Sequence, residues 1–144
     1  MPTRNASAKW EGGLRGGKGR FTGESGAIGG DYSFGSRFGE AGGTNPEELL
    51  AAAEAACFSM ALSAALERAG QKPERVETKA ACTIEKVGDG FKITRMKLDC
   101  TARVPGADRD AFKDIAEATK SSCPVSTALM GNVEIELDAR LDES

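Results

Sequence analysis

The longest apolar stretch of the chain lies between Thr44 and Gly70, and it predicts one long helix. Because small and apolar residues fill most of its positions, this helix should be buried on nearly every face. Thr44 or Asn45 can cap its start, and Pro46 suits the first turn because it has no N–H to leave unpaired. Gly70 is a typical residue at a helix end. Glu54 interrupts the apolar run, which is therefore shorter than the ~20 apolar residues of a membrane span, and we expect no membrane association.

Before this helix, residues 1–43 contain 13 of the 18 glycines, and short alternating segments there predict strands rather than helices. Apolar and polar residues alternate over 6–11 and again over 19–24. The sequence GGLRGGKG between these two segments predicts a hairpin. The sequence YSFGSRF, at residues 32–38, predicts a third short strand that leads into the long helix.

After the long helix, apolar and polar residues alternate with the two-residue period of a β-strand. A Gly-Asp-Gly turn separates two such stretches and predicts a second hairpin. Apolar residues at helical spacing then precede a last alternating stretch. The pattern predicts strands over 76–84, 96–104 and 133–141, and helices over 108–120 and 123–130.

The order of these elements predicts the α+β class, with an antiparallel sheet wrapped around the long central helix and a shorter helix. We expect a single domain over residues 1–144, because the chain has the length of one domain and contains no repeat or linker. Within this domain, residues 1–43 would form the N-terminal strands and 44–70 the central helix. Residues 75–144 would form the remaining strands, the second helix and the final strand.

Composition and charge exclude several classes of function. The net charge is −3, with both signs scattered along the chain, so we expect no nucleic-acid partner. The chain contains no histidine, which excludes Cys–His catalysis and zinc sites that need imidazole. The first ten residues, MPTRNASAKW, have no apolar signal core, so we expect a cytoplasmic protein. Cysteines of cytosolic proteins usually stay reduced unless a disulfide is transient and catalytic.

Four cysteines are present, and no two of them form a C-x-x-C pair. Cys82 and Cys100 each lie on the apolar face of a predicted strand, where a thiol behaves as a small hydrophobic group. The position of Cys57 within the long helix is equally compatible with a packing residue and with a reagent. Cys123 precedes Pro124 at a predicted helix start, where unpaired backbone N–H groups favour a thiolate.

Two charged residues near the long helix also have ordinary interpretations. Arg37 lies in a glycine-bounded segment, where a solvated strand charge is the simplest one. Glu47 lies in the first predicted helical turn, where a carboxylate favours the helix dipole and can serve as a cap. The residue pattern alone therefore leaves the roles of both side chains open.

One long segment and several short ones resemble a known protein family. GTNPEELLAAAEAACFSMALS, at residues 43–63, resembles the signature of the OsmC/Ohr peroxidases, the bacterial hydroperoxide-resistance proteins. SSCPVS, at residues 121–126, is similar to the second-cysteine segment of the same family. AKWEGGLRGGKG, GESG and SFGSRF extend the resemblance over nearly the whole chain. These N-terminal segments are more similar to the OsmC branch than to the Ohr branch.

The resemblance implies a role for four residues. Cys57 matches the peroxidatic cysteine, Cys123 the resolving cysteine, and Arg37 the arginine that stabilises the thiolate. Glu47 matches the carboxylate that holds this arginine. The implied reaction reduces organic hydroperoxides, and hydrogen peroxide more weakly, through a sulfenic acid and a Cys57–Cys123 disulfide. It needs no metal, flavin or haem, and the implied reductant is a dithiol, namely a lipoyl-bearing protein rather than thioredoxin.

The distance between two of these residues predicts the oligomeric state. Glu47 and Cys57 are ten residues apart in one helix, which separates them by ~15 Å along its axis and by about 80° around it. One helix therefore does not easily bring both residues to one site. We expect two antiparallel helices from two subunits to cross, so that Glu47 of one chain serves Cys57 of the other. The resemblance likewise implies an intertwined homodimer with two sites at the subunit interface.

Two other functions compete with a peroxidase. The first is a redox-responsive or hydrophobic-ligand binding protein of the same fold, whose thiols sense or anchor without efficient turnover. The second is a structural α+β dimer in which all the cysteines are buried. Reaction of Cys57 and Cys123 with peroxide before unfolding would exclude the structural alternative.

Overall fold

The long helix contains the boundary between two compact units of the chain, Met1–Leu49 and Leu50–Ser144. The structure is a computed structural model and describes residues 1–143. The last residue of the predicted domain over 1–144 therefore lies outside the described residues, and a single domain stays a prediction. The class is α+β, as predicted, with two three-stranded sheets and a long helix.

The first unit contains an antiparallel sheet of three short strands in the order β1–β2–β3. β1 (Ala6–Glu11) and β2 (Lys18–Gly23) form the predicted hairpin, and β3 (Gly29–Tyr32) pairs with the other edge of β2. Gly19 lies where the rings of Trp10 and Tyr32 approach each other, with their centroids 5.5 Å apart. A Cβ at Gly19 would lie 2.5 Å from carbon atoms of the Tyr32 ring, so this approach requires a glycine.

The third strand differs from the prediction over residues 32–38, because it ends at Tyr32 and a short helix α1 (Phe34–Phe38) follows. Ser33 and Ser36 explain the difference through a reciprocal capping box. The Ser33 hydroxyl accepts from the Ser36 amide at 3.0 Å, and the Ser36 hydroxyl accepts from the Ser33 amide at 2.8 Å. Arg37 therefore projects from a helix and not from a strand.

The long helix α2 spans Pro46–Arg68, and both of its ends use predicted residues. At the start, Oδ1 of Asn45 accepts from the Glu48 amide at 2.8 Å. At the end, Gly70 has a φ of +82°, and the Gln71 amide donates to the Leu66 carbonyl at 2.9 Å. This pattern is the Schellman motif, in which a left-handed glycine lets the chain turn back on the last helical carbonyls.

The burial of α2 differs from the prediction that nearly every face is covered. Phe58, Leu62 and Leu66 are fully buried, whereas 74% of Met60 is exposed. By length and composition alone α2 would suffice to cross a membrane, a test that core helices of soluble proteins also pass. One face of an apolar helix is thus left uncovered in the single chain.

The second unit contains a sheet in the order β4–β5–β6, and its last strand corrects the prediction of an antiparallel sheet. β4 (Arg75–Val87) and β5 (Gly90–Arg103) form the predicted antiparallel hairpin. β6 (Glu134–Leu141) instead runs parallel to β5. The segment between them contains two helices, and such a crossover returns the chain in the same direction. The strands also form two sheets and not one, because those of the first unit pair with one another.

These two crossover helices lie close to their predicted positions. α3 spans Arg109–Ser122, and Asp108 caps it by accepting from the Ala111 amide at 2.9 Å. α4 spans Pro124–Leu129. Cys123 is the single residue between them, so it ends one helix and begins the next.

The core of the second unit lies between α2, β5 and α3. The predicted inward face of β5 is confirmed, because alternate residues from Met96 to Ala102 are fully buried and Val104 is nearly so. They pack with the buried side chains of α2 and with Phe112 and Ala116 of α3. Cys123 belongs to the same core, which fixes the position of its thiol.

Candidate functional site

The two cysteines predicted to react lie in contact within the second unit. The Cys123 thiol points at the Cys57 sulfur, and the two Sγ atoms are 3.0 Å apart. Both residues are free thiols; Cys123 is fully buried, whereas Cys57 is half-buried. The two sulfurs are not bonded to each other, and only a small movement separates them from the S–S distance of a disulfide, about 2.05 Å.

Backbone hydrogen bonds on both sides hold Cys123 in this place. Its amide donates to the Thr119 carbonyl at 2.8 Å and thereby ends α3. Its carbonyl accepts from the Thr127 amide at 2.9 Å and thereby begins α4. Pro124 suits the first position of α4 because it has no N–H to leave unpaired there. The sequence Cys-Pro thus places the thiol at a connection between two helices that backbone hydrogen bonds hold on both sides.

The surroundings of Cys57 in its own chain favour the thiol over the thiolate. Burial raises the pKa of Cys57, and the hydrogen bond to Cys123 raises it further. The negative charge of Glu54 acts in the same direction, whereas the Val125 backbone amide at the start of α4 lowers the pKa. Because only the thiolate is an effective nucleophile, activation of Cys57 calls for a further positive group.

A buried carboxyl group next to the thiols was missed as a site residue from the sequence. Glu54 lies three residues before Cys57 on α2 and is fully buried. Its Oε1 accepts a hydrogen bond from the Ser126 hydroxyl of α4. Its Oε2 is also buried and has no hydrogen-bond partner among residues 1–143. The available signal was an acid inside an apolar helix, because glutamate is rarely buried without a partner.

The other two predicted site residues meet in the first unit. Nη2 of Arg37 lies 2.7 Å from Oε1 of Glu47, and Nε lies 3.1 and 3.2 Å from the two carboxylate oxygens. The Glu47 side chain is only 7% exposed, whereas that of Arg37 is 35% exposed. Such a two-point contact fixes the plane of the guanidinium and leaves part of it accessible.

An apolar cavity of about 290 Å³ adjoins Arg37 in the first unit. Phe34 and Phe38 stack in a tilted arrangement with centroids 5.0 Å apart, and the Arg37 guanidinium lies 5.3 Å from the Phe38 centroid. A cavity with aromatic walls and an adjoining guanidinium suits a molecule with an apolar body and a polar end. The lining residues are Trp10, Leu14, Tyr32, Ser33, Phe34, Arg37 and Phe38.

The structure thus arranges the four predicted residues as two pairs. Arg37 contacts Glu47 in the first unit, and Cys57 contacts Cys123 in the second. Cys100 is fully buried in the core of the second unit and Cys82 is half-buried, in keeping with their interpretation as small hydrophobic residues. Within residues 1–143, no group of three or more acidic or cysteine side chains is arranged to hold a metal ion.

Comparison with curated proteins shows relatives that are named as peroxiredoxins or organic hydroperoxide resistance proteins. The chain is 45% identical to the peroxiredoxin OsmC of Escherichia coli K12 over 139 residues, which is 96% of each protein. It is 33% identical over 96 residues to an organic hydroperoxide resistance protein of Xanthomonas axonopodis pv. citri, covering 66% of each.

Solved structures show the same fold over the full length. An organic hydroperoxide resistance protein from Elizabethkingia anophelis superposes with a TM-score of 0.78 at 27% identity, covering 99% of this chain and 98% of that one. A Legionella pneumophila protein described as an organic hydroperoxide resistance protein OsmC gives 0.75 at 26% identity, covering 99% and 100%. The family model for OsmC-like protein matches residues 39–138. The chain therefore belongs to the OsmC-like protein family.

Proposed function

We propose that this chain is a thiol-dependent peroxidase that reduces organic hydroperoxides to alcohols, and hydrogen peroxide more weakly. The contact of the two thiols at 3.0 Å is the observation that carries the proposal. The relatives named peroxiredoxin OsmC and organic hydroperoxide resistance protein support it. Its role in the cell would be defence against oxidative stress in the cytoplasm.

The reaction assigns one step to each thiol. The Cys57 thiolate attacks one peroxide oxygen, so the O–O bond breaks, the alcohol leaves with a proton and Cys57 becomes a sulfenic acid. The Cys123 sulfur then attacks the Cys57 sulfur, so an S–S bond forms, the S–O bond breaks and water leaves. Formation of the disulfide protects Cys57 from irreversible over-oxidation. An external dithiol returns both residues to thiols and completes the cycle.

In this proposal the Arg37 guanidinium activates Cys57. A guanidinium stays charged and can donate both to the sulfur and to a peroxide oxygen. Glu47 orients the guanidinium through its two-point contact. The positive charge would offset the effects of burial and of Cys123, which raise the pKa of Cys57.

We further infer that the working unit is a homodimer with its sites at the subunit interface. Glu47 and Cys57 lie ten residues apart on α2, or ~15 Å along its axis, so Arg37 and Glu47 of one subunit would serve Cys57 of the other. Between Leu50 and Leu66 the exposed residues of α2 are three alanines and one methionine, which supports this arrangement. These residues are Ala52, Ala53, Ala56 and Met60.

The cavity beside Arg37 supports a choice of substrate. The aromatic cavity beside Arg37 favours hydroperoxides with an apolar body over the small polar hydrogen peroxide. No metal, flavin or haem takes part, and the co-substrate is a dithiol, which we propose to be a lipoyl-bearing protein. Nucleic acids and membranes are not partners in this proposal.

Steady-state consumption of peroxide tests the function directly. Cumene hydroperoxide, a fatty-acid hydroperoxide and hydrogen peroxide are each supplied with dihydrolipoamide, thioredoxin or glutathione as reductant. We expect the fastest turnover with an organic hydroperoxide and dihydrolipoamide. Cys57→Ser should abolish turnover, and Cys123→Ser should complete one round of oxidation and then stall. Full activity of Cys57→Ser would refute the assignment.

A ligand-binding or redox-responsive protein is the second candidate. The aromatic cavity beside Arg37 favours it, because such a cavity suits any apolar ligand with an anionic end. In this case one equivalent of peroxide would be consumed in a burst, and no dithiol would support further turnover.

A further inference from the structure

The buried Glu54–Ser126 hydrogen bond has no part in the reaction described above. We propose that Glu54 is a positioning residue for the step that joins Cys57 and Cys123. Its carboxyl group, bound by Ser126, holds the start of α4 and with it the Cys123 thiol against α2. This inference rests on the proposed peroxidase cycle and adds to it a residue that sets the efficiency of disulfide formation.

The four residues form two pairs with the same spacing. Glu54 precedes Cys57 by three residues on α2, and Ser126 follows Cys123 by three residues on α4. A spacing of three residues brings side chains to neighbouring positions on one helix face. Glu54–Ser126 and Cys57–Cys123 are therefore adjacent cross-links between the same two segments.

The burial of Glu54 has a cost in stability that its contact with Ser126 offsets. The carboxyl group is fully buried, and the Oε2 atom has no hydrogen-bond partner among residues 1–143. A buried and unpaired polar atom destabilises the folded state, and an apolar residue would suit the surrounding helix. The carboxyl group in return accepts the hydrogen bond of Ser126, which is itself fully buried. A hydrogen bond between two buried polar groups is directional and costly to leave unmade.

The chemistry of the resolving step shows why this contact matters. When the Cys57 sulfenic acid forms, it either condenses with Cys123 or is oxidised by a second peroxide to a sulfinic acid. The condensation is intramolecular, so its rate depends on how well the Cys123 sulfur is held in place. The Glu54–Ser126 hydrogen bond lies one helical turn from both sulfurs and therefore favours the disulfide over the sulfinic acid.

Three variants of the full-length protein separate the Glu54–Ser126 hydrogen bond from the charge of Glu54. Glu54→Leu removes both the hydrogen bond and the charge. Ser126→Ala removes the hydrogen bond and keeps the charge, whereas Glu54→Gln keeps an acceptor for Ser126 and removes the charge. Each reduced protein is mixed with one equivalent of cumene hydroperoxide. Alkylation of the remaining thiols at set times and intact mass measurement follow the sulfenic acid and the disulfide. A second series with excess peroxide measures the sulfinic fraction.

The expected results differ between the variants. Disulfide formation should slow by tenfold or more, or about 1.4 kcal/mol, in Glu54→Leu and Ser126→Ala, with more sulfinic acid at Cys57. Glu54→Gln should resolve at close to the wild-type rate, because the Ser126 hydroxyl still has its acceptor. The pH profile of sulfenic acid formation should move to lower pH in both Glu54 variants, because the charge that helps to raise the pKa of Cys57 is gone. In Ser126→Ala that profile should not move to lower pH.

Clear outcomes overturn the proposal. Wild-type rates of disulfide formation in Glu54→Leu and Ser126→Ala would show that the contact does not position Cys123. Equal slowing in Glu54→Gln and Glu54→Leu would show that the hydrogen bond is not the cause. If Glu54→Leu does not fold, Ser126→Ala decides the question alone. Failure of the wild-type protein to oxidise Cys57 with peroxide would instead refute the proposed function, so the two failures are distinguishable.

Discussion

Two variants that are each inactive should restore activity when their subunits are combined. Arg37→Ala keeps the nucleophile but lacks the guanidinium, and Cys57→Ser keeps the Arg37–Glu47 pair but lacks the nucleophile. If each site takes Arg37 from one subunit and Cys57 from the other, a mixed dimer contains one complete site and one site without either group. If both groups come from the same subunit, no mixed dimer contains a complete site.

The fraction of activity that should return follows from the geometry of α2 and from two-fold symmetry. Nη2 of Arg37 lies 2.7 Å from Glu47, and Glu47 lies ten residues before Cys57, which is ~15 Å along the helix axis. Equal amounts of two variants that mix at random give about half mixed dimers, so about a quarter of wild-type activity should return. Each variant alone should be at least about 10²-fold slower than wild type, the usual effect of removing a group that stabilises developing charge.

The assay uses two affinity tags, one on each variant, and coexpression of the two chains. Sequential purification on both tags isolates the mixed dimer, which should then have about half of the wild-type activity per dimer. Consumption of cumene hydroperoxide with dihydrolipoamide gives the rate, and each tagged variant purified alone is the control. A doubly tagged dimer no more active than these controls would refute the shared site. A monomeric mass at micromolar concentration with full activity would refute it as well.

Two further predictions concern stability. Gly19→Ala should lower the free energy of unfolding by about 1–3 kcal/mol, because its Cβ would lie 2.5 Å from the Tyr32 ring, whereas Gly13→Ala has no neighbour within 4 Å and is the matched control. Urea titrations of both variants check this, and equal stability of the two would contradict it. Burial raises the pKa of the Cys100 thiol, so the native state keeps this proton at a pH where the unfolded chain has lost it. The free energy of unfolding should therefore fall as the pH rises above about 8.5, and the fall should be smaller in Cys100→Ala, which paired urea titrations at neutral and alkaline pH would test.

Local signals in the sequence predicted the elements well where one residue determines the conformation. Asn45 caps the start of α2 and Gly70 terminates it, as expected, because a side-chain cap and a left-handed glycine act within a few residues. The inward face of β5 is also local, since alternation alone determines which side chains meet the core. The Cys57 and Cys123 contact is a different case, because its two residues are 66 positions apart and only family resemblance linked them.

The failures have physical reasons as well. The sequence YSFGSRF predicted a third strand over residues 32–38, but the Ser33 and Ser36 hydroxyls bind the backbone and favour a helix. Alternation defines the faces of β6 but not its direction, which depends on the crossover that precedes it. The partner of Glu54 lies 72 positions away, so its buried hydrogen bond was not accessible to local arguments.

The place of Cys123 between two helices links the redox state to the backbone. Its amide donates to the Thr119 carbonyl at the end of α3, and its carbonyl accepts from the Thr127 amide at the start of α4. In the proposed cycle its sulfur bonds to Cys57, and any rotation of the residue would then be transmitted to both of these hydrogen bonds. The amide protons of Cys123 and Thr127 should therefore exchange with solvent at different rates in the reduced and oxidised protein. A reductase that approaches the disulfide would meet altered helix ends, and so could distinguish the spent protein from the active one by shape as well as by chemistry.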